Sequence, residues 1–281
     1  MPESVLLHDG VVYSPTDPFA TAMLVVGDRV VWVGGEGAAL THMDSADRVV
    51  ALGGALVTPA FVDAHVHVLE SGLADESVDL TGCTSVVECL GRVARRARSK
   101  PGEPIFGHGW DERGWPEARP PTMAELDRAA GPVVPYLARV DMHSAVVSTG
   151  LVAAVPTIVE APGYTDGLVR REANHLARRA TRDTITPDRR RALHQATLRR
   201  AAELGIGAVH EIAAPHIAGS DDLHDVLALG HTSDGPAVVG YWGATGAGVA
   251  LAAELGCVGA AGDLNIDGSL GSRTARLSTA Y

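Results

Sequence analysis

The stretch Thr58-Pro59-Ala60-Phe61-Val62-Asp63-Ala64-His65-Val66-His67 constrains the chain more than any other. It reads as an apolar strand running into a His-x-His pair. Side chains alternate along a strand, so His65 and His67 face the same way, and two imidazoles so placed can grip one metal ion from one side. Asp63 shares that face one step deeper, where a carboxylate can orient a ligand. The pair alone is a weak signal, because 12 histidines in 281 residues give about 0.5 such pairs by chance. Its context strengthens it. Pro59 breaks the chain before the strand, Phe61 and Val62 mark the strand as buried, and the Gly53-Gly54 turn precedes it.

Composition narrows the partners. The chain carries 34 acidic against 23 basic residues, a formal net charge of −11, which argues against nucleic acid and anionic membrane surfaces. At 46% hydrophobic and 20% charged residues it has the make-up of a soluble globular protein, long enough for one large domain or two ordinary ones. Cys83, Cys89 and Cys257 form neither a disulfide framework nor a CxxC pair and read as cytosolic thiols. Met1-Pro2-Glu3-Ser4 lacks the basic and apolar regions of a signal peptide, so a cytoplasmic location is expected. The apolar run from Ala244 to Gly262 is broken by Glu254 and by glycines, and is not expected to span a membrane.

Residues 1–57 read as an N-terminal β module. Asp9-Gly10 between Val5-Leu6-Leu7-His8 and Val11-Val12-Tyr13 predicts a hairpin, and Gly27-Asp28 separates two further strands. From residue 58 onward the reading is a second domain with an inserted segment at about 70–200. Within the insertion, Thr84 to Arg98 is a helix stopped by Lys100-Pro101-Gly102, Ile105 to Asp111 and Val133 to Leu137 are strands, and 168–204 is mostly helical with a break at Thr186-Pro187. The run Arg189-Arg190-Arg191 is a solvated helix face or an anion site. Afterwards Ile206 to Glu211, Ala237 to Trp242 and Asp263 to Gly268 read as strands, with Ala250 to Leu255 as one connecting helix. Short apolar strands separated by helices imply βα units and a parallel sheet, four strands with the His65 strand included.

Several motifs resemble a known family, in the expected order along the whole chain. Residues 59–67 resemble the first-strand signature of the amidohydrolase superfamily. Asp267-Gly268-Ser269-Leu270-Gly271-Ser272-Arg273-Thr274-Ala275 resembles that of amidohydrolase family 3, the branch containing N-substituted formamide deformylase. Gly109-Trp110-Asp111, Arg119-Pro120-Pro121-Thr122, Asp141-Met142-His143-Ser144-Ala145 and Gly205 to Glu211 resemble the same branch. The resemblance implies an α/β fold: a TIM-type (β/α)8 barrel beside a small β-sandwich, with metal at the C-terminal mouth of the barrel. It implies hydrolysis of a C–N bond in a small-molecule amide, N-acyl or N-formyl substrate by metal-bound hydroxide attacking a carbonyl. Zinc is the expected ion, with nickel and manganese as alternatives.

Family members take further ligands from strand four, often a modified Lys, and from two later His and a strand-eight Asp that also serves as base. At the strand-four position this sequence carries Asp263, which can bind metal but cannot be carbamylated; Glu211 is the other candidate carboxylate ligand. Only about the first four βα units, the N-terminal half, fall within the 281 residues. The expectation is therefore little hydrolase activity for this chain alone, with unpaired sheet edges favouring a homo-oligomer. An inactive fragment, or a half-barrel that binds metal or a partner chain, are the competing readings. Asp267 is either a catalytic group at the mouth or a turn cap. Trp110 and Asp111 are either a pocket wall or a packed loop, and His143 and His210 either touch substrate or pack near it. His108, His175, His194, His216, His224 and His231 show no metal spacing and read as structural or exposed.

Overall fold

The computed structural model describes residues 2–230, 235–264 and 267–281. They form two compact units, Met1–Phe61 and Val62–Tyr281. In the first, β1 (Ser4–His8), β2 (Val11–Val12), β3 (Ala22–Val26), β4 (Arg29–Gly34), α1 (Glu36–Met43), β5 (Arg48–Ala51) and β6 (Leu56–Val57) follow in order. A four-stranded sheet has the order β4-β3-β1-β5, and β2 pairs separately with β6. Leu6, Ala22 and Ala39 are its buried centre. Gly27-Asp28 closes the β3–β4 hairpin, Gly27 supplying the positive φ of 60° that a two-residue turn needs. The hairpin predicted at Asp9-Gly10 does not form. β1 is already hydrogen-bonded on both sides, by β3 and β5, so it has no edge left for β2. Glu36 holds the Asp9 N–H and the His8 ring, and Thr21 O accepts from Gly10 N–H, so the turn carries the chain across to the β2–β6 pair.

The second unit runs through β7 (Phe61–Val66), α2 (Val68–Glu76), β8 (Val78–Asp79), α3 (Val86–Ser99), β9 (Ile105–Trp110), α4 (Met123–Ala130), β10 (Pro135–Arg139) and β11 (Ser144–Val147). It continues with α5 (Thr149–Ala154), β12 (Tyr164–Thr165), β13 (Leu168–Arg170), α6 (Arg171–Arg182), α7 (Pro187–Glu203), β14 (Ile206–Ala213), α8 (Ser220–Gly230), β15 (Ala237–Trp242) and α9 (Ala247–Glu254). Helix starts follow local chemistry. Ser85 caps α3 by accepting from Glu88 N–H, and Thr186 caps α7 with Pro187 at the first helical position.

Three of the four strands assigned to the barrel come together as a sheet of order β15-β14-β7, with β14 and β15 parallel. The fourth does not appear as a strand: Asp263, Leu264, Asp267 and Gly268 lie outside any strand, and Asn265 and Ile266 lie outside the described residues. The inserted segment builds a mixed sheet of its own, order β12-β13-β11-β10-β9-β8. Val209, Ala213, Leu223, Val226 and Trp242 pack one core around β14 and β15; Tyr136, Val147, Ile158 and Ala177 belong to another, under α6. The strand carrying the His-x-His pair is not the buried strand expected. Phe61 and Val62 are 67% and 56% exposed, because β7 is the outer strand of its sheet among the described residues. No described helix is long and apolar enough to cross a membrane.

Candidate metal centre

β7 delivers His65, and the next residue after the strand, His67, is the N-cap of α2. Two contacts fix that junction. Glu211 Oε2 on β14 accepts from Val68 N–H at 2.7 Å, and Thr197 on α7 donates to Val68 O. Asp263, 196 positions further along the numbering than His67, closes the cluster. Its Oδ1 lies 3.2 Å from His65 Nε2 and its Oδ2 lies 3.0 Å from His67 Nε2. The two rings meet edge-on, centroids 5.3 Å apart. Donor atoms of His65, His67 and Asp263 all lie within 4.8 Å of one another, the one such group of three among the described residues. Burial holds the His67 imidazole below its usual pKa, against the pull of Asp263, and so keeps it in the neutral form that binds metal. Its Nδ1 is buried and has no hydrogen-bond partner among the described residues.

Two imidazole nitrogens and a carboxylate match the three-ligand set of an open catalytic zinc site. A cavity of about 570 Å³ opens beside them, within the second unit. Asp63 lines it, and its Oδ1 accepts from His65 N–H rather than from either ring.

Of the other residues singled out from the sequence, His143 also lines the cavity; Trp110, Asp111, His210, Glu211 and Asp267 are not on its wall. Glu211 is 1% exposed, and burial pushes its carboxyl up to about 8. It lies outside the donor cluster, and its role there is to hold the start of α2. Asp267 caps a turn, accepting from Arg276 N–H and Gly268 N–H, which lowers its pKa. Trp110 is buried and donates Nε1–H to Leu137 O. His210 packs its ring 5.5 Å from that of Tyr241.

Asp111 belongs to a second polar cluster. The buried Arg139 guanidinium meets Asp111 at 3.0 Å, Glu112 at 2.9 Å and Asp141 at 3.5 Å. Asp141 in turn accepts from Ser269 Oγ and Ser272 Oγ at 2.7 and 2.8 Å, and Ser272 also meets Ser144. Gly271 passes so close that a Cβ there would strike both Asp141 and Arg139. The motifs around residues 111, 141 and 269–272 thus lock to one another.

Sequence reasoning missed part of the cavity wall. His108, His175 and His216, read as structural or exposed, line it, together with Glu70, Arg178 and Arg182. His194 is buried against Asp222 at 2.9 Å, His224 is exposed, and His231 lies outside the described residues. Arg189 and Arg190 pair with Glu76 and Asp225, so the basic run serves the α7 surface. A signal for the missed wall existed: Asn174, His175, Arg178 and Arg182 recur at the spacing of one helix face.

The profile described as "Amidohydrolase family" matches residues 48–281. Protein LONG AFTER FAR-RED 3 of Arabidopsis thaliana is 25% identical over 78% of this chain and 40% of its own length. N-substituted formamide deformylase of Arthrobacter pascens is 27% identical over 78% of this chain and 39% of its own. The crystal structure of an uncharacterized metal-dependent hydrolase from Pyrococcus furiosus superposes with a TM-score of 0.67 at 25% identity, covering 98% of this chain and 59% of that one. The chain thus spans about 40% of the length of these curated relatives.

Proposed function

From the premise that the chain belongs to the amidohydrolase family, we propose that it is a metal-dependent hydrolase of C–N bonds in amide-type small molecules. The partial (β/α)8 barrel and N-terminal β-sandwich that the family resemblance implies form part of this reading. What carries it is the convergence of His65, His67 and Asp263 beside a cavity large enough for a small substrate. These three residues would hold a divalent cation, and zinc suits the imidazole and carboxylate set best. Bound there, the cation supplies Lewis acidity for opening an amide.

The chain's own groups prepare that site. Asp263 turns one oxygen toward each imidazole and so sets both rings. The buried environment lowers the His67 pKa and so favours its neutral form. Glu211, through Val68 N–H, fixes where α2 begins and hence where His67 stands. The name of the Arthrobacter relative makes N-substituted formamides the first substrates to try.

The test is metal analysis of the purified chain and of the His65→Ala/His67→Ala double variant after zinc loading and dialysis. Zinc at about one equivalent, falling close to zero in the variant, is the expected result. Equal zinc in both overturns the assignment. Assays of the loaded chain on N-formyl and N-acetyl amides then read the reaction class.

A further inference from the structure

One wall of the cavity carries two buried arginines that share a single carboxylate as ion-pair partner. Arg178 and Arg182 stand one turn apart on α6, and both reach the same atom, Glu70 Oε1, at 3.2 and 3.3 Å. Their side chains are only 14% and 13% exposed. Buried charges in proteins are normally paired and hydrogen-bonded. Here one carboxylate serves two guanidiniums, each with five N–H donors. Arg182 also donates from Nη2 to His216 O, over a long 3.5 Å. Burial opposes the charge of both. Glu70 and its neighbours more than offset this for Arg178, whereas for Arg182 burial prevails. On the same wall, His175 Nδ1 is buried without a hydrogen-bond partner among the described residues.

Glu70 follows His67 by three positions, so on α2 it stands about one helical turn, roughly 5 Å along the axis, from that residue, and its side chain reaches the arginine pair on the same cavity. We infer that Arg178 and Arg182 receive a carboxylate carried by the amide substrate, a reading that rests on the hydrolase assignment above. Two guanidiniums share one carboxylate as their ion-pair partner among the described residues, which leaves N–H donors on both for a further oxyanion. Their planar forks suit the two oxygens of a carboxylate. The cavity then orients its substrate at two points, the amide at the metal end and the carboxylate at the arginine end.

A matched pair of ligands tests this: succinamate and succinamide, which differ in the one carboxylate, with inorganic phosphate as the other oxyanion. Each is titrated into the zinc-loaded chain and into the metal-free chain by ligand-detected NMR, so that no turnover is needed. The expected result is at least about tenfold tighter binding of succinamate than succinamide, with the preference lost in Arg182→Gln and largely kept in Arg182→Lys. Glu70→Gln, which frees the guanidiniums from their internal partner, is expected to tighten succinamate binding several-fold. Equal affinity for the two ligands, a preference that survives Arg182→Gln, or no gain in Glu70→Gln overturns the inference. Phosphate binding tighter than succinamate through the same arginines overturns the choice of a carboxylate. Carboxylate preference in the metal-free chain supports the anion site even where equal zinc in the His65/His67 double variant has overturned the hydrolase reading.

Discussion

The His65–His67–Asp263 cluster and the Arg139 cluster are both assembled from residues distant in sequence, and both place carboxylates beside nitrogen donors. They differ in how completely their polar groups are satisfied. Around Arg139, three carboxylates share one buried cation, and Asp141 gains two serine hydroxyls besides. Burial pushes the Asp141 carboxyl up, and the serine hydrogen bonds and Arg139 more than offset it, so the acid stays ionised. In the metal cluster the donors meet mainly one another, His65 is more than half exposed, and a buried nitrogen of His67 has no partner among the described residues. A network that satisfies every member rigidifies a fold; one that leaves donors converging on a common point is prepared for a ligand.

The largest effect should follow from breaking the satisfied network. Arg139→Met leaves Glu112 without its cation, Asp141 with only its neutral hydrogen-bond donors and Asp111 with the exposed Arg113 alone, and removing one partner of a buried ion pair costs about 3–5 kcal/mol. Urea unfolding of the variant should show that loss, while the folded protein keeps its zinc stoichiometry. A loss below about 1 kcal/mol would place Arg139 with ordinary surface pairs and dissolve the contrast.

Glu211 sharpens the comparison, because it is a buried acid that forms no ion pair with a described residue. Its carboxyl is raised from 4.5 to about 8, chiefly by burial. Between those values the folded state holds a proton that the unfolded chain has released. Its contribution is therefore complete below the unfolded value and is lost as pH rises through about 8, a slope of about 1.4 kcal/mol per pH unit. Glu211→Gln keeps an acceptor for Val68 N–H and removes the titration. The variant should gain on the parent by about 3 kcal/mol between pH 5 and pH 7.5 in urea midpoints. Parallel pH curves would mean that Glu211 is ionised in the folded protein.

A smaller loss is expected from Ser272→Ala. The hydroxyl is buried and lies 2.8 Å from Asp141 and 2.9 Å from Ser144. Leaving those partners short of one hydrogen bond should cost about 1–2 kcal/mol, read again in urea. No loss would show that Ser269, Arg139 and the His143 N–H hold Asp141 without it.

The convergence of His65, His67 and Asp263 was partly legible: the histidines sit two residues apart, and Asp263 entered only through its alignment with the strand-four position of the family that the sequence resembles. Helix boundaries at Ser85 and Thr186 were equally local, each written in a capping residue. The far wall was not legible, since Glu70, Arg178 and Arg182 meet only once α2 and α6 pack, and an arginine on a helix reads as surface until its neighbours are known. The Asp9-Gly10 turn misled for the same reason: its local chemistry favours a hairpin, but β3 and β5 occupy both edges of β1. Phe61 and Val62 misled because apolar composition marks a strand without saying whether its faces are covered.

The smallest stability effect belongs to Asp263→Asn, and it separates the two clusters most directly. Asp263 is 28% exposed and His65 56%, so their contact lies within reach of water, where such pairs contribute little. The amide keeps one oxygen as acceptor and nearly the same shape. Unfolding free energy should change by less than about 0.5 kcal/mol, far less than at Arg139. Zinc affinity should nonetheless fall at least about tenfold, because an anionic ligand has become a neutral one. A loss of stability near that of Arg139→Met, with zinc binding unchanged, would make Asp263 a member of the scaffold like Asp141. It would leave the two histidines without the third ligand that an open site requires.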